Sequence, residues 1–379
     1  MTTMVGMATA YDLTAGVIIN MDESIYMISP IDSPMISGLG SDGLSVIGSE
    51  GVDEINFQWM HEELLLPRSL LAVTVTADVF ITVATGDRAK FSTGDILKAH
   101  KPGGTEFMRV TGYGVTADTL LVTRGYDGTT ATTYAATTVI IAVGQALPEG
   151  SNPENARHRD RTTADNYTQI FGPTKITMSR TEQKVKKYGV ANEFTKQFFN
   201  RITENVIHRE QAIVYGRKTN SATTKIRTMG GLDYYITTNV DSTSTQLTVT
   251  SVQVNQQICY NAGKVPDRIM ANPASLADIN AINDTTRVRQ YIDDSKRGRV
   301  PVMEVWTEFG PISVVRNRWV SPFDAFGFNR DSVKRRILDS LQTTKLAKTG
   351  DSDEMMLVCE EGLEVKGQQH MFKMKALVY

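Results

Sequence analysis

One amphipathic stretch sets the terms for any fold of this 379-residue chain. Phe194, Phe198, Ile202, Val206 and Ile213 fall within about 120° of one another on a 3.6-residue wheel, which predicts one long helix over residues 190–215. At 1.5 Å per residue that helix is on the order of 40 Å long, with Gly189 at its start and Gly216 at its end. The first segment ahead of it is poor in helix signal and cannot bury itself alone, so it is expected to lie on something.

The residues before the helix fall into two kinds. Up to about Gly51 they are rich in Gly, Ser, Met and Pro, and the run from Ile28 to Gly38 has two prolines and no period, so it reads as an extended arm. Ile55, Phe57 and Trp59 then alternate with polar residues, a strand signal. From about Arg68 to Leu147 the chain holds sixteen threonines and many valines between Gly-rich turns. β-Branched runs at short spacing predict a small all-β barrel or sandwich, with strands at 71–76, 79–83, 96–98, 107–111, 119–123 and 138–143. Residues 148–163 are polar and read as a loop, and 167–178 resumes a strand pattern. Beyond the long helix, helices at 251–261 and 273–282 alternate with strands at 268–271, 300–306 and 312–315. Asn272 is the expected N-cap of the second helix and Pro273 its first residue. Short strands at 342–347, 355–359, 363–367 and 372–378 close an α+β chain.

Charge is nearly balanced, at −2 overall, which excludes a global polyanion binder. The balance hides a split. Residues 1–67 carry ten acids and no Lys or Arg, which leaves +8 for the rest. Between Arg157 and Lys218 thirteen basic residues face six acids. Nucleic-acid binding would want aromatics exposed among those cations, but Phe194 and Phe198 lie on the apolar stripe and are expected in the core. The alternative favoured here is that the basic region receives the acidic first segment, within one chain or between chains.

No constellation for catalysis emerges. The five histidines form no metal-binding spacing, and His61-Glu62-Glu63 reads as a strand end. Asp351-Ser-Asp353-Glu354 lacks the Gly and downstream Glu of a calcium loop and reads as a turn. Gly112-Tyr-Gly114 and Gly230-Gly231 lack the companions of a phosphate-binding loop. Cys259 and Cys359 lie in apolar surroundings and read as reduced core thiols. There is no positively charged signal-peptide start and no apolar run near the ~20 residues of a membrane span. No cofactor and no metal are expected, and synthesis in a reducing cytoplasm is.

The order of these parts, an extended arm, a long strand loop, a long amphipathic helix, a mixed lobe and terminal strands, resembles the HK97-type major capsid protein of tailed phages. The SU10-like branch is the most similar. Carrying the resemblance are Phe57-Gln-Trp-Met-His-Glu-Glu-Leu on the outgoing strand and Thr177-Met-Ser-Arg-Thr-Glu-Gln-Lys-Val-Lys-Lys-Tyr-Gly-Val before the helix. After it come Thr228-Met-Gly-Gly-Leu-Asp-Tyr-Tyr-Ile-Thr-Thr-Asn, Asp267-Arg-Ile-Met-Ala-Asn-Pro and Glu308-Phe-Gly-Pro-Ile-Ser-Val-Val-Arg-Asn-Arg-Trp. Leu346-Ala-Lys-Thr-Gly-Asp-Ser-Asp and Glu361-Gly-Leu-Glu-Val complete the series.

The resemblance implies an N-terminal arm at 1–55, E-loop strands and connections at 56–67 and 148–180, and an inserted Thr-rich β-domain at 68–147. A peripheral domain with the spine helix follows at 181–231, then an axial domain at 232–329 and a return to the peripheral domain at 330–379. It implies a non-enzymatic subunit of hexamers and pentamers in an icosahedral or prolate head, assembled in the host cytoplasm around double-stranded DNA. Implied partners are further copies of the chain, a separate scaffolding protein, a portal, a cement or decoration protein, and DNA touched weakly and non-specifically; no membrane is implied. No residue set marks a covalent cross-link, so clasping is expected to be non-covalent. Another phage structural protein, of tail or decoration type, is the alternative, and an enzyme with an unrecognised site a further one. Candidate assembly-interface residues are Asp53, Glu54, Trp59, Glu62 and Glu63 on the acidic side. On the basic side they are Arg157, Arg159, Arg161, Arg180, Lys184 and Lys187.

Overall fold

The computed structural model describes residues 32–37, 45–64, 66–76, 78–151, 161–187, 192–280, 288–291, 302–348 and 350–378. These form two compact units, one from residues up to Trp59 and from Ala164 onward, the other from Met60 to Thr163. Strand far outweighs helix, and the class is mixed α and β.

Within the expected arm, Pro34–Ser37 (α1) is one helical turn and not extended chain. Proline's fixed φ suits the first position of a helix, and Met35 behind it is buried. Gly48–Gly51 (β1) and Asn56–Glu62 (β2) follow. In β2 the sequence alternation holds: Phe57 and Trp59 are buried while Asn56, Gln58 and Met60 face out.

The second unit encloses its own core with Arg68–Leu70 (β3), Phe80–Thr82 (β4), Asp95–Ala99 (β5), Phe107–Tyr113 (β6), Thr119–Tyr126 (β7) and Val139–Gln145 (β8). Their order is β3-β8-β5-β6-β7-β4. Leu71 bridges Val83, and the N–H groups of Ala72 and Ala84 donate to Thr82 and Leu70 at 2.9 Å, so the sheet closes on itself. A barrel has no free edge to template aggregation. Leu71, Ile81, Leu97, Val110, Leu120 and Ile140 fill it. The strand expected at 71–76 is not continuous. Leu71 pairs with Val83 and Val75 with Tyr134, so this stretch turns from one neighbour to another.

One buried carboxylate organises the loops of the barrel. Glu106 accepts from Arg124 Nε and Nη2 at 2.6 and 2.8 Å, from the Gly125 N–H at 3.1 Å and from the Thr132 N–H at 2.8 Å. Arg124 in turn donates to the Thr132 carbonyl at 2.6 Å. Burial opposes the charge on Glu106, but Arg124 and the two N–H groups outweigh it and its pKa is lowered.

Arg161–Tyr167 (β9) pairs with β2, so the end of the expected loop is strand. Gln169–Ser179 (β10) leads into Arg180–Lys184 (α2), whose first turn is capped by the Ser179 side chain. The long helix is Glu193–Tyr215 (α3), capped by Asn192, whose side-chain oxygen accepts the Thr195 N–H at 3.2 Å. Gly216 caps its end, and only glycine fits there, since a Cβ would stand 2.4 Å from the Ala212 carbonyl and 2.6 Å from that of Met229.

The face buried by α3 differs from the expected one. Buried on it are Asn205, Arg209, Glu210, Ile213 and Val214, whereas Phe194 and Phe198 are half-buried and not core. An open groove of about 700 Å³, lined by Ile176, Met178, Gln197 and Arg201 among others, lies between β10 and the N-terminal half of α3.

Thr219–Asn220 (β11) and Arg227–Thr228 (β12) make a small hairpin, followed by Leu232–Tyr235 (α4) and Val240–Asp241 (β13). Val249–Ala262 (α5) starts at a capping box in which Thr248 and Ser251 each bond the other's backbone N–H. Arg268–Ala271 (β14) is buried at every residue, and Pro273–Asn280 (α6) follows with Asn272 accepting the Ala274 N–H at 3.0 Å. Val288–Tyr291 (β15), Val302–Thr307 (β16), Gly310–Arg316 (β17) and Ala325–Phe328 (β18) complete most of a seven-stranded sheet. With Phe372–Met374 (β21) its order is β13-β21-β18-β14-β17-β16-β15.

The terminal strands are longer than expected. Val333–Lys345 (β19) and Ser352–Val365 (β20) form one long antiparallel pair, in a four-stranded sheet of order β1-β19-β20-β10. Their charged residues broke the apolar alternation in the sequence. In the fold those charges pair: Arg336 with Glu364, Arg335 with Glu361 at 3.6 Å, and Lys334 with Glu50 of β1 at 3.3 Å.

Candidate assembly surface

The eleven candidate residues do not gather at one place. Asp53 and Glu54 are exposed in the turn between β1 and β2, and Glu63 is exposed just past the end of β2. Glu62 and Arg161, on paired strands, form an exposed ion pair at 3.3 Å. Arg180 opens α2 and pairs with Asp351 at 2.8 Å, Lys184 is exposed at the end of α2, and Lys187 pairs with Glu182 and, at 3.8 Å, with Glu193. Arg157 and Arg159 lie outside the described residues.

Trp59 is a correction. Only 5% exposed, it packs within its own chain, with ring centroids 6.0 Å from Phe57 and 5.6 Å from Tyr235. Its alternation with Phe57 was a core signal, and the ring is not offered to another subunit.

The acidic segment meets cations of its own chain, though mostly not in the basic stretch. Asp32 pairs with Arg318 at 3.4 Å, and Glu50 with Lys334 at 3.3 Å and Arg336 at 2.9 Å. From the expected region, Arg161 pairs with Glu62. Several other basic residues there have acids at hand: Lys175 bonds Glu354 at 2.7 Å, Lys218 bonds Asp165 at 2.5 Å and Arg201 bonds Glu204 at 2.5 Å. Sequence-local and cross-strand neighbours supply these acids, so a count over a stretch overstates its free charge. Exposed pairs of this kind contribute between zero and about 1 kcal/mol each.

Sequence reasoning missed the group that anchors the N-terminal segment to α3. Glu210 is fully buried, and its carboxylate accepts the Met35 N–H at 3.0 and 3.1 Å, the Ile36 N–H at 3.2 Å and the Asn317 amide at 2.7 Å. Trp319 Nε1 donates to the Asp32 carbonyl at 2.7 Å, a second tie to the same segment. Burial pushes the Glu210 carboxyl up to about 7, against the N–H groups and the Asn317 amide, which favour its charged form. One residue earlier, Arg209 grips Glu361 of β20 in a bidentate pair. Burial works against the Arg209 guanidinium, and Glu361 outweighs it, leaving its pKa raised. A signal was present. At 100° per residue Asn205 and Arg209 sit about 20° and 60° from Phe194, inside the apolar arc.

This arrangement joins distant segments of the chain. Among the described residues, no group of three or more His, Cys, Asp or Glu is placed to hold a metal ion, and no helix is long and apolar enough to cross a membrane.

The sheets, the long helix and the hairpin define a capsid-type architecture. The capsid of Myoviridae phage XM1 covers 96% of this chain and is itself covered completely, with a TM-score of 0.50 at 10% identity, so the likeness is one of fold. The capsid of a native GTA particle (98% and 100% covered, TM-score 0.48, 8% identity) and Mycobacterium phage Bobi (98% and 99%, 0.49, 8%) also match. By the likeness to the XM1 capsid, the fold is the HK97-like one of phage capsids. A family model described as SU10 major capsid protein matches residues 3–378, and the chain belongs to that family. It is a capsid-forming structural protein of the virion. No curated protein matches it.

Proposed function

We propose that this chain assembles through hexamers and pentamers into an icosahedral or prolate phage head around packaged double-stranded DNA. The observation that carries the reading is the family match over residues 3–378. Residues 56–67 and 148–180 act as the E-loop, 68–147 as an inserted domain adding bulk at an outer or intercapsomer position, 181–231 and 330–379 as the peripheral domain and 232–329 as the axial domain. A separate scaffolding protein, a portal and a cement or decoration protein complete the particle in the host cytoplasm, and DNA is touched weakly at the inner wall. The chain contributes contacts, not catalysis.

Shell closure requires many weak contacts, because misplaced subunits must dissociate while multivalency holds correct ones. The exposed Asp53, Glu54, Glu62 and Glu63 of one copy meet exposed cations of a neighbour, among them Arg180, Lys184 and Lys187. Such contacts give orientation more than affinity. Negative-stain imaging of the expressed protein tests the reading: shells or rings support it, and monomers at every concentration overturn it. Arg180→Glu with Lys184→Glu should lower capsomer yield, and unchanged assembly at low salt would remove the charge contact from the scheme.

A further inference from the structure

Two apolar patches flank α5, and neither is among the surfaces described above. On one flank Val254 and Ile258, one helical turn apart, are 53% and 46% exposed. With Val240 they wall a groove of about 660 Å³ between α5 and residues 238–246. Val378 extends the rim, its N–H donating to the Thr245 carbonyl at 2.7 Å and its side chain exposed. On the other flank Tyr260 is 60% exposed, with its ring centroid 5.5 Å from that of Phe309. At 100° per residue Val254 and Ile258 lie about 200° and 240° round from the core-facing Val252, and Tyr260 about 80°. The patches therefore look away from each other.

The groove's one charge is taken up by internal hydrogen bonds. Its one acid, Asp241, accepts the N–H groups of Thr243 and Ser244, the Thr243 hydroxyl and the Asn255 amide, all at 2.9–3.0 Å. What remains is aliphatic wall with hydroxyl and amide groups, which suits an aromatic with a polar tip. Apolar patches rimmed by polar groups mark interaction sites. Two unlike patches on opposite flanks suit a head-to-tail contact, in which each copy uses one patch toward each neighbour and rings form when the rotation closes. A self-complementary contact would need only one. The occupant is a second copy because a capsid-forming chain meets its own copies, and the complement of the groove lies on the same helix.

We propose that Tyr260, backed by Phe309, of one copy inserts into the groove walled by Val240, Val254 and Ile258 of the next. This rests on the ring-forming reading above. Two variants, Val254→Asp and Tyr260→Asp, test it by sedimentation and native mass spectrometry of the full chain. Each alone should weaken ring formation at least tenfold. An equimolar mixture should give dimers and no rings, since the first variant keeps its aromatic flank and the second its groove. As a check independent of folding, Val254→Cys mixed with Tyr260→Cys should cross-link under mild oxidation, while neither alone does. Wild-type rings that survive both Asp variants, a mixture that stays monomeric while the wild type forms rings, or Cys variants that fail to cross-link inside such rings would overturn the assignment alone. A wild type that forms no ring would overturn it together with the ring-forming reading.

Discussion

Arg209 and Glu361 join the long helix to the terminal hairpin by two hydrogen bonds of 2.7 and 2.6 Å, with side chains only 9% and 2% exposed. Arg335 stands 3.6 Å from the same carboxylate, too far to replace a bidentate partner. Removing the guanidinium leaves a buried carboxylate badly compensated, so Arg209→Ala should lower the unfolding free energy by about 3–5 kcal/mol. Arg209→Lys keeps the charge but loses the fork, and should fall between. Urea unfolding measures both. A loss under about 1 kcal/mol for the alanine variant would remove this pair as a major tie between helix and hairpin.

Glu210 makes stability depend on pH. Its folded pKa, about 7, lies above the ordinary 4.5, so between those values the folded chain holds a proton the unfolded chain has released. The resulting stabilisation is complete below pH 4.5 and is lost as pH rises through 7; it is on the order of 3 kcal/mol. Glu210→Gln should flatten that part of the profile. Its amide also puts N–H groups toward those of Met35 and Ile36, so their hydrogen exchange should speed up. Urea midpoints at pH 5 and pH 8 compare the two proteins, and parallel slopes would count against Glu210 as the titrating group.

Legibility tracked how far each signal depended on neighbours in sequence. The long helix, α5, β14 and the barrel strands β5 to β8 were readable because periodicity and capping are local: Asn272 and Pro273 open α6 as expected. The hairpin of β19 and β20 looked broken because Arg335, Arg336, Glu361 and Glu364 interrupt its apolar pattern, and only cross-strand pairing explains them. The turn at Pro34–Ser37 was unreadable because its N–H acceptor, Glu210, lies 175 positions from Met35. Charge segregation was real as a count, but beside Arg161 its partners include Arg318, Lys334 and Arg336, which lie beyond the stretch that looked most basic.

Gly125 should be irreplaceable in the barrel. Its φ is 63°, and a Cβ there would stand 2.6 Å from the Thr129 carbonyl. Gly125→Ala combines left-handed strain with that collision and displaces an N–H from Glu106, for a loss of about 1–3 kcal/mol. Thermal unfolding of the full chain reads it. An unchanged midpoint would show that the 124–132 loop can rearrange freely.

Cys259 and Cys359 are both buried, and burial pushes their thiols up to about 12 and about 11. The thiolate is the reactive form, so neither should be alkylated by iodoacetamide at pH 8 while the chain is folded. Both should label in urea. Intact-mass measurement before and after denaturation distinguishes these states, and rapid native labelling of either would contradict its burial.

Glu62 and Arg161 offer a way to separate folding from assembly. Their contact is 3.3 Å long, with side chains 49% and 68% exposed, so water and salt compete for both charges. A double-mutant cycle of Glu62→Gln and Arg161→Gln should give a coupling energy below about 1 kcal/mol in urea unfolding of the single chain. Charge reversal by Glu62→Lys should therefore leave the monomer's unfolding nearly unchanged. If acids at this strand end orient a neighbouring subunit, the same substitution should slow capsomer formation, most strongly at low ionic strength, where exposed charges act over longer range. Light scattering across a salt series follows this. Equal rates for wild type and Glu62→Lys at the lowest salt would exclude Glu62 from intersubunit steering, and a large loss of monomer stability would mean that the pair matters to the fold itself.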